Sequence, residues 1–116
     1  MNGPYYHLNA HVYGAWFHDF VIEVDVLAQK NIGKILAMIP FPLNTDGIDP
    51  SGTDILIERV NITNYDDSVA VKPSANWGQC SERITIRDLN VWYSVGLTIG
   101  SVGASDGKNC VRNVTF

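Results

Sequence analysis

Apolar residues recur along this chain at spacings of two, three and two. Ala15, Phe17, Phe20 and Ile22 set the pattern; Ile55, Ile57, Val60 and Ile62 repeat it, and so do Ile84, Ile86, Leu89 and Val91. Val111, Val114 and Phe116 fit its later part, with Asn109 in the first place. Period-two alternation places neighbouring side chains on opposite faces of a strand, so each unit predicts a strand and the step of three predicts a bend. At each bend stands a polar pair, His18-Asp19, Glu58-Arg59, Arg87-Asp88 or Arg112-Asn113, expected to turn outward. The units begin at 15, 55, 84 and 109. Repeats of about 20–30 residues built from short strands predict a solenoid. With no leucine-rich signature and no helix in each repeat, the expected fold is all-β, a parallel β-helix. Val24 to Met38, interrupted by Gly33 and followed by Pro40 and Pro42, reads as an ordered loop inserted between strands.

A second strand follows the bent ones. Asp46-Gly47-Ile48, Asp67-Ser68-Val69 and Val95-Gly96-Leu97 superimpose, with Val71 and Ile99 as further inward residues. Stacked strands lie roughly 4.8 Å apart. Asp46 and Asp67 are therefore expected side by side on adjacent coils, with Val95 on the next rung and Asp66 aligned with Thr45 and Ser94. Asp and Asn beside Gly commonly form turns, which is the plain reading of Asn44–Asp49. Two carboxylates on adjacent rungs repel, however, and one then holds a proton more readily. That is costly for stability and useful for acid/base catalysis. A structural ladder is better served by Asn or Thr. Asp66 and Asp67 are chain neighbours, so both reach one cleft only where the backbone is irregular.

Composition narrows the classes. The chain has 116 residues, 46% of them hydrophobic and 17% charged, which is globular rather than disordered. The net charge of −4 and the lack of a basic stripe argue against nucleic acid. No apolar run reaches membrane-spanning length, and no signal peptide opens the chain. No polar cap is seen at either end, and a few coils with open ends are marginal. Residues 1–116 are thus expected to be part of one β-helix domain, truncated at the C-terminal end and at the N-terminal end. Cys80 and Cys110 lack C-x-x-C spacing, and the sequence leaves a disulfide and two buried thiols equally open. Two glycosylation triplets, at Asn61 and Asn113, are weak signs of secretion.

Three motifs in order, N-T-D-G-I-D at Asn44–Asp49, N-Y-D-D at Asn64–Asp67 and G-L-T-I-G-S-V-G at Gly96–Gly103, resemble glycoside hydrolase family 28, the polygalacturonases and related pectin hydrolases. The resemblance extends over most of the chain and implies a right-handed parallel β-helix. It implies that Asp66 protonates the glycosidic oxygen while Asp46 and Asp67 hold and deprotonate the attacking water, with inversion of configuration. It implies α-1,4-galacturonosidic cleavage in a pectic polysaccharide, by a secreted protein, monomeric when complete, without metal or organic cofactor. The chain departs from the family pattern in three ways. Ser94-Val95-Gly96 stands where polygalacturonases carry G-H-G, which brings rhamnogalacturonan or a substituted pectin into view as substrate. Ser68 stands where a cysteine commonly follows D-D. The Arg-x-Lys motif that grips a substrate carboxylate does not occur. A non-catalytic β-helix used for binding is the reading from another class.

Asn44 and Lys72 are the candidate substrate-binding residues. Lys72 follows the second acidic site in V-A-V-K-P and is equally readable as solvated. His7, His11 and His18 have no helical metal-binding partner and read as surface histidines. Trp77, Trp92 and Tyr93 are better placed to pack against loops than to stack on sugars, and Gly100 and Gly103 read as turn glycines.

Overall fold

The computed structural model describes residues 6–7, 12–23, 44–74, 78–104 and 109–116. The loop expected at Val24 to Met38, His11 and Trp77 lie outside them, as does the side chain of His7.

Among the described residues nine strands follow one another: β1 (Tyr6–His7), β2 (Val12–Tyr13), β3 (Trp16–Glu23), β4 (Ile48–Asp49), β5 (Gly52–Thr63), β6 (Asp67–Val71), β7 (Ser81–Trp92), β8 (Gly96–Ile99) and β9 (Val111–Thr115). Every pairing is parallel. One sheet has the order β1-β4-β6-β8 and the other β2-β5-β7-β9, with β3 also on β5. Each strand pairs with its counterpart one coil later, which is the arrangement of a parallel β-helix.

The repeat sets the register. Phe17 pairs with Ile57 and Ile57 with Ile86; Phe20 pairs with Val60 and Val60 with Leu89. These rungs form the interior. Ile55, Ile57, Val60, Ile62, Ile84 and Ile86 are buried, and Ile48, Val69 and Val71 join them from the other sheet. Each fully buried side chain of this size contributes roughly 1.5–3 kcal/mol. The bends are made by residues in the left-handed region: Asp19, Arg59 and Asp88 form one corner ladder, with φ of 56°, 53° and 55°. Asp54, Arg83 and Asn113 form a second, at 58°, 53° and 52°.

That second ladder corrects the last repeat. Val114 pairs with Ile84, not with Leu89, and Val111 pairs with Ser81. Arg112-Asn113 therefore continues Glu82-Arg83, not Arg87-Asp88. A coil has two bends of similar polar character, and a short terminal segment fits either. The polar pairs do not all turn outward either. Glu58 is 4% exposed, because Trp16 Nε1 (3.3 Å), Arg59 Nη1 (2.6 Å) and Arg87 Nε (2.8 Å) all donate to its carboxylate.

Cys80 and Cys110 are joined in a disulfide across 30 residues, one full coil. Beside it the Ser81 amide donates to the Cys110 carbonyl (2.9 Å), so the bond fixes the register of β7 and β9. A crosslink closing a loop of this length stabilises by roughly 3 kcal/mol through the unfolded chain. The Cys80→Ala/Cys110→Ala variant is expected to lose about that much in a urea titration. A midpoint unchanged from the parent would show that β9 holds its register without the bond.

Candidate active site

The acidic residues meet where β4 and β6 begin. The Gly47 amide donates to the Asp67 carbonyl (2.9 Å), which sets Asp46 beside Asp67 on adjacent coils. The Val95 amide donates to the Asp66 carbonyl (3.0 Å), so Asp66 aligns with Ser94 as expected. The next rung differs. Asp67 pairs with Gly96, not with Val95, and the register shifts before Val69 meets Leu97. Ser68 is the extra residue of this bulge; it is buried and hydrogen-bonded to Ser94 Oγ. The bulge, with the bend at Tyr65 and Asp66, supplies the irregular backbone that lets two neighbouring aspartates reach one cleft.

One carboxylate oxygen from each of Asp46, Asp66 and Asp67 lies within 4.8 Å of the others, and all three residues are half-buried. Asp66 is held by backbone donors. Its Oδ1 accepts from the Asp67 amide (2.9 Å) and its Oδ2 from the Asn44 amide (3.1 Å). Asn44 thus reaches the cluster through its main chain, at φ 53°. Burial, and then the charge and hydrogen bond of Asp49, push the Asp46 carboxyl up to about 7; Asp66 adds a further like charge, and Lys72 opposes the shift. Asp49 itself is 4% exposed, with Lys72 Nζ 3.8 Å from its Oδ2. Lys72 also donates to the Gly100 carbonyl (2.6 Å). It is therefore not an open solvated lysine: its side chain is 21% exposed and its charge acts on the acidic cluster.

Asn64 is the residue that sequence reasoning passed over. It is fully buried, and its Nδ2 lies within hydrogen-bonding distance of the carbonyls of Thr45 (2.9 Å), Asp66 (3.0 Å) and Asp67 (2.8 Å). It therefore ties the first acidic segment to the second. Thr45, also buried, accepts from the Tyr65 amide through Oγ1 (3.1 Å). Ser94 Oγ donates to the Asp66 carbonyl (2.9 Å). The signal for this clamp was the first Asn of N-Y-D-D, readable only once both acidic segments are known to lie on adjacent rungs.

Three oxygen donors at this spacing also match the reach of one divalent cation, but an acidic cluster by itself does not establish a metal site. Its one raised carboxyl and its backbone-fixed neighbour match proton transfer at least as well. His18 lies away from this cluster, stacked on Trp16 and hydrogen-bonded to Asp19 Oδ2 (2.6 Å).

A coiled parallel scaffold with its carboxylates on one outer shoulder defines a class, and comparison with known proteins gives the same class. The model of glycosyl hydrolases family 28 matches residues 4–116, and the chain belongs to that family. Among curated relatives, a probable endo-xylogalacturonan hydrolase A of Aspergillus fumigatus is 39% identical over 74 residues, 63% of this chain and 16% of the relative. The endo-xylogalacturonan hydrolase A of Aspergillus tubingensis is 36% identical over the same shares, and a probable one of Emericella nidulans is 38% identical over 63% of this chain and 17% of its own length. The chain thus spans about a sixth of the relatives it matches. No solved structure gave a significant match.

Proposed function

We propose that the protein containing this chain hydrolyses the galacturonan backbone of a pectic polysaccharide, outside the cell, by inverting acid/base chemistry at Asp46, Asp66 and Asp67. The convergence of these three carboxylates within 4.8 Å carries the reading. Asp66, fixed by two backbone amides, faces the leaving oxygen and protonates it. Asp46 and Asp67, on adjacent rungs, grip the water and take its proton. Burial and Asp49 hold a proton on Asp46 up to about pH 7. In the reaction that proton passes to Asp66, which delivers it to the leaving oxygen, and Asp46, now ionised, is free with Asp67 to take the proton of the water.

The sign of the pH dependence follows. As pH rises through about 7 the cluster loses the proton that the acid delivers, and kcat/KM falls up to tenfold per pH unit. The charge of Asp49 helps to hold that proton, so Asp49→Asn moves the alkaline limb to lower pH. A limb that stays in place would separate Asp46 from the rate. Stability shifts in the same sense. Folded Asp46 keeps its proton to about 7 against an ordinary 3.8, so its contribution is fully present below about 4 and lost as pH rises through 7.

On substrate, the relatives' names favour a xylose-bearing galacturonan over plain polygalacturonate, and Val95 in place of a cleft histidine leaves room for a substituted ring. Release of reducing ends from polygalacturonate, xylogalacturonan and rhamnogalacturonan tests this. The greatest release is expected from xylogalacturonan, unaffected by a chelator. Release from none of the three by a folded protein would return the chain to a binding role.

A further inference from the structure

Beside the acidic cluster stands an aromatic pair that the chemistry above does not use. The rings of Tyr65 and Tyr93 stack with centroids 5.7 Å apart and planes 11° apart. Tyr65 immediately precedes Asp66, and its amide is held by Thr45 Oγ1, next to Asp46. Tyr93 ends the coil above at φ 61° and precedes Ser94, which holds the Asp66 carbonyl. Both rings are therefore tied through the main chain to the segments that carry the carboxylates. Their burial is unequal. Tyr65 is half-buried, whereas Tyr93 is 72% exposed, and Val95 two residues on is 68% exposed.

An aromatic residue in the left-handed region is costly, and such residues gather at sites where the conformation serves a purpose. Here it turns Tyr93 out at the end of β7, where its ring is backed by Tyr65 and open to solvent. A rigid ring backed by a second gives a flat apolar surface at low entropic cost. The galactose configuration offers a matching surface: its axial C4 oxygen lies on one face and leaves C–H groups at C3, C4 and C5 toward the other.

We propose that Tyr93, backed by Tyr65, is a stacking subsite for one sugar ring of the substrate next to the bond being cleaved, with Val95 as its apolar flank. The proposal rests on the pectic reading for the identity of the sugar. The carboxylates supply charge and protons; the ring pair supplies orientation. It binds ground state and transition state alike, so its loss is felt in KM and much less in kcat.

The test uses the full-length protein with galacturonan oligosaccharides, bare and xylose-bearing, in kinetics and in calorimetric titration. Tyr93→Ala is expected to raise KM about tenfold with kcat within about threefold, and Tyr93→Phe, which keeps the ring, to restore most of the lost affinity. Titration of Asp66→Asn with and without Tyr93→Ala reads binding apart from turnover, and the same weakening is expected there. Thermal melts establish that each variant is folded. If binding needs Tyr93 but no turnover is found in the parent, the subsite stands and the hydrolytic reading falls. If turnover is present and neither KM nor the titration moves, the subsite is overturned and the hydrolytic reading stands. Absence of oligosaccharide binding altogether overturns the subsite.

Discussion

Asp66→Asn is expected to lower kcat about a thousandfold while leaving KM within a few fold. General acid catalysis is worth roughly 10²–10⁴ in rate, and the amide side chain of Asp66→Asn can neither take up the proton of the cluster nor deliver it to the glycosidic oxygen. The change is not silent in the fold. Both oxygens of Asp66 accept backbone amides, from Asp67 and from Asn44. An asparagine presents one acceptor and one donor, so one amide loses its partner at a cost of about 1 kcal/mol. Activity and stability must therefore be read together, by reducing-end release and by a thermal melt. A thousandfold loss with a small drop in melting temperature is the expected pair. Retained turnover would remove Asp66 from the acid role whatever its neighbours do.

The second large effect is expected at a residue with no chemistry of its own. A Cβ added at Gly47 would lie 2.4 Å from the Ser68 carbonyl oxygen and 3.2 Å from Ile62 Cγ2. The Ser68 carbonyl belongs to the main chain of the bulge, so it cannot swing aside like a side chain. The Gly47 amide also bonds the Asp67 carbonyl, so relief of the clash must pull Asp46 away from Asp67. Gly47→Ala is expected to cost roughly 2–3 kcal/mol through overpacking. A displacement of about 1 Å in the cluster would lower kcat about a hundredfold. Gly103→Ala is the control, since a Cβ there meets nothing within 4 Å. Denaturant midpoints and kcat for the two variants check both effects. A wild-type kcat in Gly47→Ala would mean that the close approach of the two coils does not set the geometry of the carboxylates.

Much of this is legible in the sequence, because a stacked solenoid converts sequence period directly into contacts. The alignment of Phe17, Ile57 and Ile86 needed only the two-three-two spacing, and the neighbouring of Asp46 and Asp67 followed from the same register. What escaped has local physical causes. The bulge at Ser68 adds one residue without disturbing the apolar pattern on either side, so the spacing predicts Val95 opposite Asp67 where Gly96 pairs instead. The terminal segment Val111 to Phe116 fits two different bends, and the choice between them is made by the disulfide and by the corner at Asn113. Glu58 reads as an outward polar residue in sequence; three donors from neighbouring rungs and its own corner cover it. Asn64 carries no signal of its own in the sequence, yet it bridges two coils, a role that depends on what lies above and below it and not on its own neighbours in the chain.

Stereochemistry gives the most direct check on the central claim. Inverting glycosidases generally hold their carboxyl groups about 6.5–9.5 Å apart and retaining ones about 5–5.5 Å apart. Here three oxygens converge within 4.8 Å. Separation alone would favour retention, whereas a water shared between Asp46 and Asp67 requires inversion. Proton NMR of the first reducing ends released from an α-linked galacturonan, read before mutarotation, distinguishes the two. The account predicts the β-anomer, lost in Asp66→Asn. The α-anomer would contradict it and would make one of these aspartates a nucleophile.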